Sequence, residues 1–465
     1  MVERESDTRA VLETLWRQHG HMPAALDHLE LTGHEPVLPS SFAVGTAMQT
    51  SVAASALAAA EIWHARTGRR QRVGVDMRAA AIAARSERYF TVDDGPAPEL
   101  WDKIAGTYQC GDGRWVRLHT NFPHHRDGVL TLLGCAWDKA AVAEALRGWK
   151  AFDFEEAAAA AKLVVTAMRT FREWDAHPQG MAIGRLPLLS IDKIGDAPPP
   201  SWPQGDRPLA GIRVLDLTRI IAGPVCGLTL AAHGADVMLV TSPNLPAVAP
   251  LVIDTGRGKL STHIDLHDEA GRKAFEALVR EADVIVQGYR PGGLDALGYG
   301  PDDVARMRPG IVYVSLSAYS HEGPWAGRRG FDSLVQTASG FNAAEAEAAG
   351  VSGPKPLPAQ ILDHATGYLL AYGAMSALLR RAREGGSWHV RASLAQTGSW
   401  LRSLGRIDGL GAKDPARGDI LDCLEETPSA FGRLSAVRHP AILSETPARW
   451  ARPSVPLGTH AAMWP

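Results

Sequence analysis

Apolar residues fall along the second half of this chain in short runs separated by amphipathic stretches. Ile212 to Leu217 forms one such run; a turn follows, then Pro224 to Ala232 reads as a helix ending at Gly234, and Ala235 to Val240 forms a second run. The alternation continues with a helical stretch from Asp268 to Glu281 and the runs Asp283 to Gln287 and Ile311 to Leu316. Short apolar runs alternating with helices predict βαβ units and a parallel sheet, whose ligands sit at the carboxyl ends of the strands. A nucleotide-sized ligand therefore fits the pattern. The first turn, Thr218 to Pro224, carries one glycine where the dinucleotide fingerprint needs three, which argues against NAD.

Between residues 196 and 208 five prolines occupy thirteen positions, a density that no helix or central strand tolerates, so this stretch reads as a linker. Across it lies a faint internal repeat. His64 to Val73 aligns without gaps on Arg381 to Val390, an offset of 317 residues, and in both places an alanine-rich helix precedes a strand-like alternation. A second apolar helix, about Tyr368 to Arg380, follows Asp363, and Phe152 to Ala161 reads as a plain helix with a solvated face.

Composition narrows the class. At roughly 100–200 residues per domain, 465 residues predict two or three domains. The 48 basic and 51 acidic side chains leave a net charge of −3, which gives no footprint for nucleic acid or an anionic membrane. No apolar stretch is long enough for a membrane span, and the acidic N-terminus has no signal-like core; the expectation is a soluble, cytoplasmic protein. Cys110, Cys135, Cys226 and Cys423 are far apart and suit a reducing compartment. His124 and His125 lack a third ligand at helical spacing and read as a loop pair, so no metal is expected. The tryptophans are scattered without helical spacing and read as core or interface anchors.

Pro208 to Pro224, Leu230 to Val237, Gly258-Lys259 with Ile264-Asp-Leu266, Tyr289-Arg-Pro-Gly292, Gly323-Pro324 and Gly330-Phe-Asp332 follow one another as an ordered set of motifs. In these motifs and their order residues 207 to 400 resemble the family III CoA-transferases, a group that includes the α-methylacyl-CoA racemases and carnitine-type transferases. Arg438-His-Pro440, Leu443 to Pro447 and Leu457-Gly458 resemble its closing segment. Thr67-Gly68, Val73 to Asp76 and Tyr108 to Trp115 are similar to the family's second half and small domain, here placed first. The resemblance implies an α/β fold, a Rossmann-like parallel sheet domain with a second, smaller α+β domain. The implied divisions are an N-terminal segment at 1–36, a second-half-like and small-domain-like region at 37–195, the linker at 196–208, the large domain at 209–410 and a tail at 411–465. A homodimer is the expected assembly, either simple or interlinked as in the family.

On its own, Asp363 is an acidic residue in the first turn of a helix, where the dipole favours a carboxylate by about 0.3–1 kcal/mol. The resemblance gives it more: the position matches the family's nucleophilic aspartate. The implied chemistry is attack on an acyl-CoA thioester to give a mixed anhydride, return of the thiolate to form an aspartyl-CoA thioester, and transfer to an acceptor carboxylic acid, with coenzyme A as substrate and neither metal nor ATP. Water must be kept out, and backbone N–H groups near Gly367 or the Gly223-Pro224 turn are candidates to hold the oxyanion. The 317-residue offset carries Asp363 onto Thr46, so the N-terminal copy has no nucleophile and reads as structural or substrate-covering. For coenzyme A the resemblance points to Ile221, Ala222, Gly223, Pro224, Lys259, Tyr289 and Arg290, with Arg219 and Arg257 weaker candidates; for each of the basic residues a plain solvated charge is the alternative reading. His321 is a second candidate at the acyl intermediate, whereas His364 diverges from Asp363 by about 100° around the helix.

Departures keep alternatives open. Phe331 stands where the racemases carry a histidine, which weakens, without removing, an acyl-CoA racemase or isomerase reading. Ile221 replaces the glutamine of formyl-CoA transferases. Val240 to Pro243 and Gln287-Gly288 depart from the family's loops, and they leave room for a non-catalytic CoA-binding partner subunit.

Overall fold

The computed structural model describes residues 7–465. Strand β1 (Leu29–Thr32) leads into α1 (Val44–Thr67), an alanine-rich helix buried on every face from Val44 to Ala60; it ends at Gly68, whose φ of 75° few other residues adopt. Strand β2 (Val73–Asp76) pairs in parallel with β1, and the Asp76 side chain then caps α2 (Met77–Ala83) by accepting from Ala79 N–H. Strands β3 (Gly106–Gln109), β4 (Trp115–Leu118) and β5 (Val165–Ala167) form a small antiparallel sheet. Its core of Ile104, Val116, Leu118, Val129, Val142 and Phe154 is separate from the rest, as an α+β unit requires. Strand β6 (Ser190–Gly195) follows, and then a stretch without helix or strand over 196–212.

The βαβ pattern appears next: β7 (Arg213–Leu217), α3 (Ala222–Ala232), β8 (Asp236–Thr241), β9 (Lys259–His263), β10 (Val284–Gln287) and β11 (Val312–Ser317). Then come α4 (Asp332–Ala338), α5 (Ile361–Glu384), β12 (Ser387–Ser393), α6 (Leu394–Ser403) and, in the tail, β13 (Ala441–Leu443). Seven strands make one sheet in the order β9-β8-β7-β10-β11-β12-β6, parallel throughout except for β6, which runs antiparallel along the β12 edge. The fold is thus the α/β arrangement expected. Strands such as β10 are buried along their whole length because both faces of the sheet are covered, which is why they read as unbroken apolar runs. The order reverses on either side of β7, and the turn leaving β7 is the place where such sheets bind ligands.

Helix α5 lies between α3 and α1 and is buried through most of its length. The sequence repeat has a structural counterpart: α1 runs from 44 to 67 and α5 from 361 to 384, the same 317-residue offset at both ends, and each is followed by a strand and a helix. Strands cross the linker in both directions. β6, before it, joins the large sheet, while β13, from the tail, pairs antiparallel with β2. Among the described residues no helix is long and apolar enough to cross a membrane.

Candidate active site

Asp363 lies in the first turn of α5. The residue preceding that helix, Gln360, offers its N–H groups no side-chain cap. The cap comes from another element: Asp332, at the start of α4, accepts the Asp363 N–H at 2.9 Å through Oδ2 and accepts from Gln336 Nε2 through Oδ1. Gln336 also donates to Ala359 O (3.1 Å) and accepts Leu357 N–H (2.9 Å), so the segment entering α5 is held at three points. On its other side α5 meets α3 closely. A Cβ added to Gly367 would stand 2.6 Å from Ala222 O and 2.7 Å from the Val225 side chain. Gly367 is therefore a packing glycine inside the helix, with its N–H committed to the helical ladder, and the backbone N–H that faces the Asp363 carboxyl is that of Ala222.

Asp363 is 6% exposed and Asp332 fully buried. Burial, followed by the charges of Asp332 and Glu87, holds the Asp363 carboxyl well above the usual carboxylate range, with the Ala222 N–H opposing. Burial likewise pushes Asp332 up to about 6. Burial would raise Glu87 as well, but the hydrogen bond from His364 (Nε2 to Oε2, 3.1 Å) and the charges of His364 and Arg88 carry it below its ordinary value. His364 thus turns away from Asp363, as its place on the helix predicts, and holds the neighbouring carboxylate.

The pocket over Asp363 holds about 50 Å³. Ile221, Phe331 and Gln360 form one wall; Glu87, Trp101, His119 and Asn121, all from before the linker, form the other. His119 stacks face to face on Phe331, with ring centroids 4.0 Å apart and planes 16° off parallel. Burial and the charges of Arg117 and His125 push its pKa down to about 3, so it is a neutral imidazole, and its Nδ1 is buried without a partner. Sequence reasoning missed Glu87, Trp101 and His119. Glu87 lies on a four-residue helix, Trp101 in a loop and His119 just past β4, so no periodicity or spacing marks any of them.

The residues proposed for coenzyme A divide into two groups. Ile221, Ala222, Gly223 and Pro224 form the first turn of α3 beside Asp363; Gly223 sits so close to Thr218 that a Cβ would meet its side chain at 2.3 Å. Arg219 donates to Pro246 O (3.1 Å) and lies 5.0 Å over the Phe122 ring, close enough to Tyr289 for each to shift the other's titration. Arg290 is exposed, and Arg329, which the sequence reading did not single out, feels the charges of both Arg290 and Arg219. Lys259 stands elsewhere: only 2% exposed, its Nζ binds Asp216 Oδ2 and Pro224 O, both at 2.8 Å, and braces α3 against β7 and β9. Arg257 is similarly internal, paired with Asp254 and donating to Val437 O.

His321 does not join the Asp363 pocket. It contacts Ser320 Oγ at 3.3 Å and Glu322 at 3.6 Å, and is held below its ordinary pKa first by burial and then by the charge of Arg391. His124 and His125 lie in the first turn of the helix Pro123–Leu133 and not in a loop; Pro123 at its first position begins that helix.

Compared with known proteins, residues 209–418 match CoA-transferase family III. The chain carries a family III domain. It is similar to the acetyl-coenzyme A transferase nodX of Hypoxylon pulicicidum, at 34% identity covering 52% of this chain and 43% of the relative. An acyl-CoA transferase of Gibberella moniliformis is 30% identical, covering 69% and 64% respectively. The crystal structure of Rv3272 from Mycobacterium tuberculosis aligns at 34% identity with a TM-score of 0.40, over 42% of this chain and 57% of that one. The chain spans about half the length of the curated relatives it matches. Asp363, Asp332, Arg219 and Arg329 all lie inside the family III domain, whereas Glu87, Trp101 and His119 lie outside it.

Proposed function

We propose that the protein transfers coenzyme A from an acyl-CoA to a carboxylic acid through covalent chemistry at Asp363. The observation that carries this reading is the clustering of three buried carboxylates: Asp363 and Glu87 line one pocket, and Asp332 sits behind Asp363, accepting its backbone N–H. An ionised Asp363 is destabilised by burial and by its neighbours, whereas an acylated Asp363 is neutral; attack on a thioester carbonyl removes the charge that the pocket disfavours. The carboxylate oxygen bonds to the acyl carbon and the thiolate leaves. The thiolate next attacks the aspartyl carbonyl of the anhydride, releasing the acyl group as its carboxylate and leaving an aspartyl-CoA thioester. The acceptor carboxylate reverses the two steps. The Ala222 N–H at the start of α3 faces the carbonyl oxygen on which charge develops.

Arg219, Arg290 and Arg329 supply the positive charge for the phosphates of coenzyme A. The wall of Trp101, His119 and Phe331 keeps water from the anhydride. A volume of about 50 Å³ does not admit a thioester, so this wall shifts when acyl-CoA enters.

The test is intact-protein mass spectrometry after incubation with a mixed pool of acyl-CoAs, then peptide mapping, with Asp363→Ala as control. A coenzyme A or acyl adduct on the Asp363 peptide, absent in the variant, is the expected result. Exchange of α-deuterium in the acyl group without any adduct would overturn it in favour of racemase chemistry.

A further inference from the structure

The Asp363 pocket shares walls with two other spaces. Through Ile220 and Leu251 it borders the cavity beside Arg219, on the coenzyme A side; through Arg88, Trp101, Ser333 and Gln360 it borders a cleft of about 810 Å³. No residue lines both of those spaces, so Asp363 stands between them. The cleft is strongly cationic: Arg85, Arg88, Arg117 and Lys355 line it against a single acid, Asp414.

Three of these cations already have anions. Arg85 pairs with Asp414, Arg88 with Glu87 at 3.4 Å, and Lys355 with Glu345 at 3.2 Å. Arg117 differs. Among the described residues its side chain has no ion pair or hydrogen bond; its Nε is buried without an acceptor, and its guanidinium lies 4.8 Å over the Trp101 ring. Burial lowers its pKa to about 10, which still leaves it charged at neutral pH. The charge of Asp332 acts on it without any contact, and a largely buried guanidinium that has no hydrogen-bonded partner is costly to keep; its fork geometry suits one carboxylate in bidentate contact. Leu357, Pro358 and Leu410 add apolar surface to the same cleft, which suits methylene groups between two charged ends.

We propose that Arg117 receives a second carboxylate at the far end of the acyl chain, so that the groups exchanged at Asp363 are dicarboxylic and not simple fatty acids. The inference rests on the reading of Asp363 as nucleophile for what happens at the near end. At the far end it rests on Arg117 alone.

Two measurements separate these. In the first, wild-type protein is given ω-carboxyacyl-CoAs of four to eight carbons and monocarboxylic acyl-CoAs of equal length, and kcat/KM for transfer is compared. A charged hydrogen-bonded contact predicts a preference of about ten- to a hundred-fold for the ω-carboxy series. Arg117→Gln abolishes the preference and Arg117→Lys, which keeps the charge but loses the fork, retains part of it. Wild-type protein that treats the two series alike overturns the inference, whatever the variants do. In the second, titration calorimetry follows binding of free adipate and free hexanoate to wild-type and Arg117→Gln protein, with no covalent step involved. Adipate binding that depends on Arg117, in a protein that forms no adduct with any acyl-CoA, upholds the far-end site and removes the Asp363 reading. An adduct formed equally with both series, together with no Arg117-dependent adipate binding, does the opposite.

Discussion

Substituting Gly367 by alanine tests whether the spacing of α3 and α5 sets the reaction geometry. The new methyl group would stand 2.6 Å from Ala222 O and 2.7 Å from the Val225 Cβ and Cγ1, where ordinary contacts begin at 3.4 Å. The nearest atom is backbone and cannot swing aside, so the helices must part by about 0.8 Å. Overpacking of this kind costs about 1–3 kcal/mol. The same displacement moves the Ala222 N–H away from the Asp363 carboxyl, and errors of about 1 Å in a reacting site cost on the order of 10²-fold in rate. Urea unfolding reads the first effect. Single-turnover acylation of Asp363, followed by intact mass, reads the second, with Gly418→Ala as control because nothing lies within 4 Å of a Cβ there. A Gly367→Ala protein that matches wild type in both midpoint and acylation rate would refute the argument. One that is destabilised yet acylates normally would show that the contact is tight but does not position the nucleophile.

Other consequences can be measured independently. Asp332 has a native pKa of about 6 against an ordinary 3.8, so its contribution to stability is intact below about pH 4 and lost as pH rises through about 6. Asp332→Asn, which carries no charge, should therefore gain on wild type between pH 4.5 and 7.5 by at most about 3 kcal/mol in urea unfolding; parallel curves would contradict this. The rate of adduct formation moves the opposite way, rising with pH as the Asp363–Asp332 pair ionises. Lys259→Met leaves Asp216 buried without its cation and is expected to cost about 3–5 kcal/mol, much of it recovered by adding Asp216→Leu; a loss below 1 kcal/mol would place Lys259 outside the core ion pair.

The large sheet was legible because its strands are covered on both faces and therefore read as unbroken apolar runs, with Asp268 and Gly234 marking helix ends by local chemistry. Asp363 was singled out only through the resemblance; as a bare first-turn acid it would have passed for helix chemistry. Lys259 was misleading because a charged residue reads as a surface or phosphate-binding group, and only its pairing with Asp216, from a neighbouring part of the sheet, makes burial tolerable. Arg117, Trp101 and His119 were invisible for a different reason. They sit on or near the short strand β4 of the smaller sheet, and what makes them part of the site is packing against Phe331 and Gln360, far along the chain.

The strands that cross the linker have a consequence for how the molecule survives cleavage. Because β6 completes the edge of the seven-stranded sheet and β13 returns to pair with β2, each piece on either side of residues 196–208 holds a strand of the other's sheet. A nick by a proline-specific endoprotease at the exposed Pro200–Ser201 bond should leave two fragments that migrate together under native conditions and part only in denaturant. Expressed separately, each fragment would expose an unpaired sheet edge, and recovery of a folded protein would require both in the same cell.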